Sequence, residues 1–581
     1  MASELSDQEM REALETCASE PVHIPGCIQP FGCMLAVTAE TGRIAYVSEN
    51  AEAFIGRPPR ALLGADASDA LGRELWHGVR NAAARSGLAE RAVAIGAYEI
   101  QGQFCDIRVF ASGGCLVVEM EPAADPGIDG NDALSTLGYL MFQIQACTQE
   151  QRLFELTVEL MRHLSGYDRV LIYRFDREFN GEVLAEAKSA PLEGFLGLRF
   201  PHWDIPSQAR EIMKKVPLRL ISDVEQVPVP ILSAPGGAPL DITLAASRGV
   251  SPVHMEYLRN MGSGATMTLS IMVEEKLWGI ISFHHRRPKL APSGLREVLV
   301  NFLAVFNGKL LALRQQAALG RIEMLDRGFV GDEAETLPLQ DLLPSVAPVI
   351  MEVMNGHGFA VVSKSAPTTS GIVPGPEVLQ ALSDLAISRD EVIAIESLSE
   401  RFPHYEASLN TVAGALLVGV LPDRAICIFR NELAQEVSWA GSPEKRVETV
   451  GDRLRLSPRG SFSVFLEEVR GRCEPWTQND LYLIRHIRTL LHAAERQAVM
   501  DTLNRQQTLM IGELNHRVRN ILALVRSVSR QARRRYGSLN SYANAIENRI
   551  RALAAAHDIG GGKFTQPVSL RQLIQVEFEP F

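Results

Sequence analysis

The chain has 581 residues, 46% hydrophobic and 22% charged, which is too long for one core and suits a water-soluble protein of roughly three to five domains. A net charge of -11 and a pI near 5.7 exclude a general nucleic-acid binder, which needs a basic footprint. Eight cysteines with no CxxC pair fit neither a disulfide framework nor a zinc module, so no metal is expected and the thiols are read as reduced.

The first segment, 1–125, opens on an acidic stretch with no apolar core, which excludes a signal peptide. Leu35-Ala-Val, Arg43-Ile-Ala-Tyr-Val and Cys115-Leu-Val-Val-Glu-Met are expected strands of a small sheet, with turn chemistry at Glu40-Thr-Gly42. Pro122 to Gly130 reads as a linker. In the second segment, 135–315, Arg169-Val-Leu-Ile-Tyr-Arg-Phe and Trp278-Gly-Ile-Ile-Ser-Phe are strand-like, and Gly181 and Gly279 mark close approaches. Val227 to Pro239 reads as an ordered surface loop. Leu299, Phe302, Phe306, Leu310 and Leu313 form one apolar stripe at helical spacing, so the segment leaves through a long helix.

The third segment, 325–495, mixes helices with the strands Gly414 to Val420 and Ala425 to Phe429. Its most apolar stretch, Val412 to Leu421, stops at Pro422-Asp423 and is too short to span a bilayer. Thr477 with Asp480 forms a capping box that starts a helix free of Pro and Gly as far as Gly512, on the order of 50 Å long. The last segment, 500–581, is helical: Met510, Leu514, Val518, Ile521, Val525, Val528 and Ala532 recur at alternating steps of four and three. Gly537-Ser538 makes a turn, and Tyr542, Ile546, Ile550 and Leu553 continue the pattern to Gly560-Gly-Gly562. Such a hairpin is too small to stand alone, so a dimeric four-helix bundle is expected. The fold class is α+β multidomain, with mixed sheet-and-helix domains joined by long helices and an all-α hairpin at the end.

Five groups of residues carry chemistry. Cys17 precedes Glu20-Pro-Val-His-Ile-Pro-Gly-Cys-Ile-Gln-Pro-Phe-Gly32. Phe200-Pro-His-Trp-Asp-Ile-Pro-Ser-Gln-Ala-Arg210 follows, then Arg248-Gly-Val-Ser-Pro-Val-His-Met-Glu-Tyr-Leu-Arg-Asn-Met-Gly262 with Lys276-Leu-Trp-Gly-Ile-Ile-Ser-Phe-His-His285. Trp439-Ala-Gly441 and Pro458-Arg-Gly-Ser-Phe462 form the fourth group. In the fifth, Glu513-Leu-Asn-His-Arg-Val-Arg-Asn520, His516 lies between seam positions Leu514 and Val518 and so faces away from the bundle core.

Together these motifs resemble the bacteriophytochromes, light sensors built of PAS, GAF and PHY domains, here followed by a phosphoacceptor hairpin of the HWE class of histidine kinases. The resemblance implies biliverdin IXα held by a thioether from Cys17, since Val253 stands where plant-type phytochromes carry their attachment cysteine. It leaves Cys27 and Cys33 to core packing, and puts Phe31 where the family usually has histidine. It places the Asp204 carbonyl at the pyrrole nitrogens, with its carboxylate free to bond the ring-D side or a neighbouring domain, counts Ile205 and Pro206 among the cofactor-binding residues, and gives the pyrrole water to His254. It packs Tyr173 and Tyr257 near ring D, makes His284 the partner of the ring-D carbonyl, and sets Arg219 and Arg248 on the two propionates, a task for the planar guanidinium. Trp439 to Gly441 and Pro458 to Phe462 match the two strands of the PHY tongue, with Arg459, or alternatively Ser461, as a partner for Asp204.

By the same resemblance His516 takes the γ-phosphoryl group of ATP, steered by Glu513, and Arg549 to Asp558 match the second helix of the hairpin. No Gly-rich ATP-binding segment precedes Phe581, so ATP and Mg are expected to act only with a catalytic domain outside these residues. The expected protein is a cytoplasmic homodimer that signals to a response regulator, with no nucleic-acid or membrane partner. A dimerisation module, light-regulated or bilin-free, that acts by contact without phosphotransfer is the other reading left open.

Overall fold

A computed structural model describes residues 20–561 apart from 85–86, 124–129, 235, 330–338, 364–366, 388–390, 422–423, 434, 444–446, 451–452, 457 and 536, together with 570, 571 and 574. Cys17 therefore lies outside the described residues. The chain divides into two compact units that do not follow chain order: residues 1–322 with 397–400 and 432–474, and residues 323–396 with 401–431 and 475–581. Among the described residues no helix is long and apolar enough to cross a membrane.

The first unit holds two large sheets. One has seven strands in the order Cys27–Ile28, Val229–Ser233, Ile44–Ser48, Cys33–Thr38, Cys115–Pro122, Gln103–Ser112 and Val93–Ile100. The three strands expected at its centre are present, and their apolar face forms a core around Leu35, Val47, Val109 and Val118. The two outer strands escaped the pattern because Val93–Ile100 is a mostly exposed edge rich in Ala and Gly. Their turn is Gln101-Gly102, with φ of 51° and 77°, a primed hairpin turn without the usual Asn or Asp.

Val229–Ser233 corrects the surface-loop expectation for Val227 to Pro239. This strand pairs with Ile44–Ser48 on one side and Cys27–Ile28 on the other. Pro230 is tolerated because it contributes a carbonyl, to Glu49 N–H at 2.9 Å, where it has no donor to offer. Gln29 closes the same junction. Its amide donates to Leu220 O at 2.8 Å and Arg248 O at 3.3 Å, and accepts from Ser222 N at 3.2 Å. The N-terminal strand is thereby tied to the strand and loop that carry Arg219 and Arg248.

The second sheet has eight strands: Leu218–Ile221, Ala265–Val273, Lys276–His285, Arg169–Phe175, Gly181–Lys188, Arg199–Phe200, Gln435–Ala440 and Val464–Val469. The helices Glu150–Ser165 and Ser293–Phe329 cover one face. The predicted stripe Leu299, Phe302, Phe306, Leu310 and Leu313 is buried there, each side chain worth about 1.5–3 kcal/mol relative to exposure. Phe31 packs against this core. The last two strands form an antiparallel hairpin that adds to the sheet where Trp439 pairs with Arg199.

In the second unit, Thr368–Gly371, Gly358–Ser363, Arg424–Asn431, Val412–Leu421 and Ile393–Ile395 make a five-stranded antiparallel sheet. The capping box forms as the sequence predicts: Thr477 N donates to Asp480 Oδ2 at 2.8 Å and Asp480 N to Thr477 Oγ1 at 3.1 Å. Arg430, buried, locks that helix start. It donates to Asp480 at 3.2 Å, Met354 O at 2.8 Å and Pro475 O at 3.1 Å, and lies 3.9 Å over the Trp476 ring. The helix Gln478–Arg535 has 58 residues and passes through Gly512 without a break, about 87 Å long. A second helix, Leu539–Gly561, turns back after Ser538.

Candidate functional site

The side of the eight-stranded sheet away from the two long helices carries a cavity of about 260 Å³ in the first unit. Its walls come from the strands Arg169–Phe175, Leu218–Ile221, Ala265–Val273 and Lys276–His285 and the helices Ser207–Lys215 and Pro252–Asn260. Leu171, Ile280, Ile221 and Met213 make much of it apolar, as a ligand with a large hydrocarbon surface requires. Tyr173 also stands in this wall, and Gly181 is required opposite it: a Cβ there would come within 1.5 Å of the Tyr173 ring. Gly279 is needed for the same reason, against the Tyr173 carbonyl at 2.3 Å.

One polar group is built on Asp204, which the turn after Pro201 and the one-turn helix His202–Asp204 hold at the cavity. Arg459 donates from Nη2 to Asp204 Oδ2 and from Nη1 to Ala440 O. Tyr257 O–H donates to the same Oδ2 at 3.1 Å, and Asn260 Nδ2 donates to Arg459 O at 3.0 Å. Phe462 packs edge-on to Tyr257 at 5.1 Å. Burial pushes the Asp204 carboxyl up to about 6, although Arg459 and Tyr257 both pull it down. Burial is the largest influence on Arg459 and opposes its charge, but Asp204 and Tyr257 together outweigh it and leave the guanidinium above its ordinary value.

A second polar group is cationic. Arg219 Nη2 donates to Arg248 O at 2.7 Å and Gly249 O at 2.9 Å, while its Nη1 is buried with no partner among the described residues. Arg248 Nη1 donates to Thr243 O at 2.7 Å. Burial lowers Arg219 well below its ordinary value, with the Arg248 charge adding, and burial brings Arg248 down to about 10. The nearby Glu119 carboxylate is already committed to Ser247 N at 2.6 Å and Ala246 N at 3.1 Å. Two partly desolvated guanidiniums with an orphaned N–H call for anionic ligand groups such as carboxylates.

Two histidines complete the lining. His254 lies 6.0 Å from Tyr257 with the rings nearly parallel, and burial followed by the Arg219 charge lowers it to about 4. His284 is lowered to about 3, by burial first and then by Arg169 and His254. Both imidazoles are therefore neutral near pH 7. Ser263 Oγ stands 3.0 Å from His284 Nδ1 and Ser282 Oγ 2.9 Å from its Nε2.

Family models match along most of the chain: "PAS fold" at residues 17–123, "GAF domain" at 149–306, "Phytochrome region" at 324–499 and "HWE histidine kinase" at 513–581. A bacteriophytochrome of Xanthomonas campestris pv. campestris is 32% identical over 521 residues, covering 83% of this chain and 79% of that protein. The chain belongs to the bacteriophytochrome family. A second bacteriophytochrome, from Pseudomonas aeruginosa, is 30% identical over 543 residues, 88% of this chain and 70% of its own. The crystal structure of a bacteriophytochrome from R. palustris superposes with a TM-score of 0.73 at 27% identity, covering 83% of this chain and 99% of that one. The photosensory core module of a Stigmatella aurantiaca phytochrome gives 0.71 at 30% identity, covering 84% and 98%. This phytochrome thus has the mixed α+β PAS-GAF-PHY architecture expected of it, followed by a helical region of the HWE kinase class.

The phytochrome fold brings Tyr173, Asp204, Ile205, Pro206, Arg219, Arg248, His254, Tyr257 and His284 to one cavity. Glu20 and Val22 line it too, which puts the described start of the chain at the site. Phe31 does not line it, so the departure from histidine there does not touch the cavity. Cys33 is buried and its thiol pushed up to about 12, and Cys27 is raised by burial, both consistent with packing. His516 lies in the other unit, exposed on the helix Gln478–Arg535, and Glu513 is paired with Arg517 at 2.6 Å.

One tongue expectation needs correction. Pro458 to Phe462 is not a strand; the strand is Val464–Val469, and Pro458 to Phe462 is the irregular stretch before it that delivers Arg459. Gly441, at φ 88°, is needed there because a Cβ would meet Ser461 O at 2.1 Å. Ser461 bonds Ser463 at 2.8 Å, and Arg459 takes Asp204. Sequence reasoning gave no role to Gln29, Asn260, Ser263 and Ser282: Gln29, Asn260 and Ser282 stand inside the quoted motifs, but only the folded chain shows what each of the four bonds.

Proposed function

We propose that this chain is a red/far-red photoreceptor that holds biliverdin IXα through a Cys17 thioether and passes the light-induced change to phosphotransfer at His516. The observation that carries the reading is the cavity's polarity. It joins an anion-seeking pair, Arg219 and Arg248, to an acceptor at Asp204 and two neutral histidines along apolar walls. That is the complement of a long tetrapyrrole with two propionates and a row of inward N–H groups. Cys17 is three residues before Glu20, a separation of at most about 11 Å, so its thiol is within reach of the cavity that Glu20 lines.

The bilin would supply light absorption and photoisomerisation. Arg219 and Arg248 anchor the propionates, His254 orders water near the pyrrole nitrogens, and the Asp204 carbonyl accepts from them. Tyr173, Tyr257 and His284 surround ring D. The Asp204–Arg459 contact links this site to the tongue hairpin, and a change in that hairpin is the route toward the helix that bears His516. Dimerisation covers the seam, where Met510, Leu514 and Val518 are half or more exposed in the single chain. With its ATP-binding partner domain and Mg, His516 takes phosphate and hands it to a response regulator in the cytoplasm.

The test is a visible spectrum of the chain with added biliverdin, taken dark and after red and far-red light. Two interconvertible long-wavelength bands are expected. No visible band, or one band insensitive to light, would refute the reading.

A further inference from the structure

The strand Cys115–Pro122 buries two carboxylates, Glu119 and Glu121, outside the cavity. It lies inside the seven-stranded sheet, between Cys33–Thr38 and Gln103–Ser112. Its side chains alternate between the two faces. Leu116, Val118 and Met120 enter the core around Leu35 and Val47. Cys115 and Val117 pack on the other face with Leu240, Ile242 and Ala245, from the stretch just before Arg248. Glu119 and Glu121 continue that second face. Arg296 donates to Glu121, whereas Glu119 takes donors from the stretch itself.

Ser247 N–H donates to Glu119 Oε1 at 2.6 Å, the Ser247 hydroxyl donates to the same oxygen, and Ala246 N–H donates to Oε2 at 3.1 Å. The next carbonyls along the chain, those of Arg248 and Gly249, accept from Arg219 Nη2 at 2.7 Å and 2.9 Å. One carboxylate therefore fixes the turn of chain that bears Arg248 and seats Arg219. Both of its oxygens are used. An amide here would offer one acceptor and turn its NH2 toward the other donor.

The charge also has a use. Burial, then the Arg248 charge, opposes the charge on Arg219, and Glu119 supports it. A carboxylate paired directly with Arg219 would occupy the N–H groups that an anionic ligand needs. Glu119 spends its oxygens on Ala246 and Ser247 instead, and Arg219 Nη1 is left without a partner among the described residues. The donors turned on Glu119 offset its negative charge toward the cavity, so position outweighs repulsion.

We propose that Glu119, which does not touch the cavity, is a positioning residue that sets the site's selectivity for a doubly anionic ligand over its neutral counterpart. It holds Ala246 and Ser247 so that Arg219 and Arg248 present their guanidiniums together. The inference rests on the bilin reading above, which supplies the two propionates.

The test offers the full chain an equimolar mixture of biliverdin and its dimethyl ester, and mass spectrometry reads the ratio bound. The wild type should prefer the acid, and Glu119→Gln should reduce that preference roughly tenfold, or about 1.4 kcal/mol. A general loss of folding lowers the uptake of both ligands and does not move the ratio. An unchanged ratio overturns the proposal. A raised ratio overturns it too, by showing that Glu119 acts only as a repelling charge. If Glu119→Gln loads neither ligand, the comparison moves to a chain carrying Arg219→Gln and Arg248→Gln, where no cation of this pair is left uncompensated. There the ratio should be the same with and without Glu119→Gln, and a difference overturns the proposal. A wild type that takes up neither ligand removes the bilin reading and this one together. A wild type that takes up acid and ester alike removes this one alone.

Discussion

Arg459 reaches back across 255 positions to donate to the Asp204 carboxylate, and both side chains are at least nine-tenths buried at the contact. An exposed pair of this kind contributes about 0–1 kcal/mol, whereas removing one partner of a buried pair costs about 3–5 kcal/mol. Arg459→Ala should therefore lower the stability of the tongue and leave Asp204 with Tyr257 alone. If the pair forms in one photostate only, its loss shifts the balance between states, because only differential interactions move populations. A severalfold change in thermal reversion, or stalled photoconversion, is expected by absorption spectroscopy. Wild-type reversion with complete photoconversion would reduce Arg459 to a packing role.

Asp204 also makes a pH prediction. Its folded-state value of about 6 lies above the ordinary 3.8, so between about pH 4 and 6 the folded chain binds more protons than the unfolded one. Stability should then fall as pH rises through that window, by at most about 3 kcal/mol, and level off above it. Asp204→Asn should flatten this part of the profile in denaturant titrations at fixed pH. A wild-type profile that is already flat from pH 4 to 6 would contradict the burial account.

Attachment chemistry gives a third test. Cys17→Ser should abolish covalent bilin while leaving the cavity contacts of Arg219, Arg248 and His254 in place. Zinc-enhanced fluorescence of the denatured band reads this directly. A Cys17→Ser band that still fluoresces would move the linkage to Cys27 or Cys33, the two other thiols near that terminus.

The start of the output helix offers a stability test. Arg430→Met leaves Asp480 buried without its cation, and breaking such a pair costs about 3–5 kcal/mol, or roughly 6–20 °C in Tm for a unit of this size. Adding Asp480→Asn should recover part of the loss, since an amide is cheaper to bury than a carboxylate. Calorimetry of the single and double variants decides it. Equal Tm values for wild type and Arg430→Met would mean that the pair contributes nothing.

Phosphotransfer is tested at His516. With an ATP-binding domain present, radiolabel from ATP should appear as an acid-labile phosphoprotein and disappear in His516→Ala. Label that survives the substitution would place the acceptor elsewhere and favour signalling by contact alone.

Local patterns sufficed for the elements whose information lies within a few residues. The stripe from Leu299 to Leu313, the Thr477–Asp480 capping box and the central strands of each sheet follow from periodicity and capping chemistry, which depend on neighbours in the chain. The nine described cavity residues were legible too, but through motif resemblance, since nothing local says that Arg219 and His284 face the same space. What only the tertiary structure decided is pairing at a distance. Val229–Ser233 became a strand because the edges of Ile44–Ser48 and Cys27–Ile28 needed partners, although its Pro and Gly neighbours signal a loop. Gln29, Asn260, Ser263 and Ser282 are polar residues of ordinary surface type. Burial obliged Gln29, Ser263 and Ser282 to find hydrogen-bond partners, and exposed Asn260 meets the Arg459 carbonyl only because the fold brings the two together.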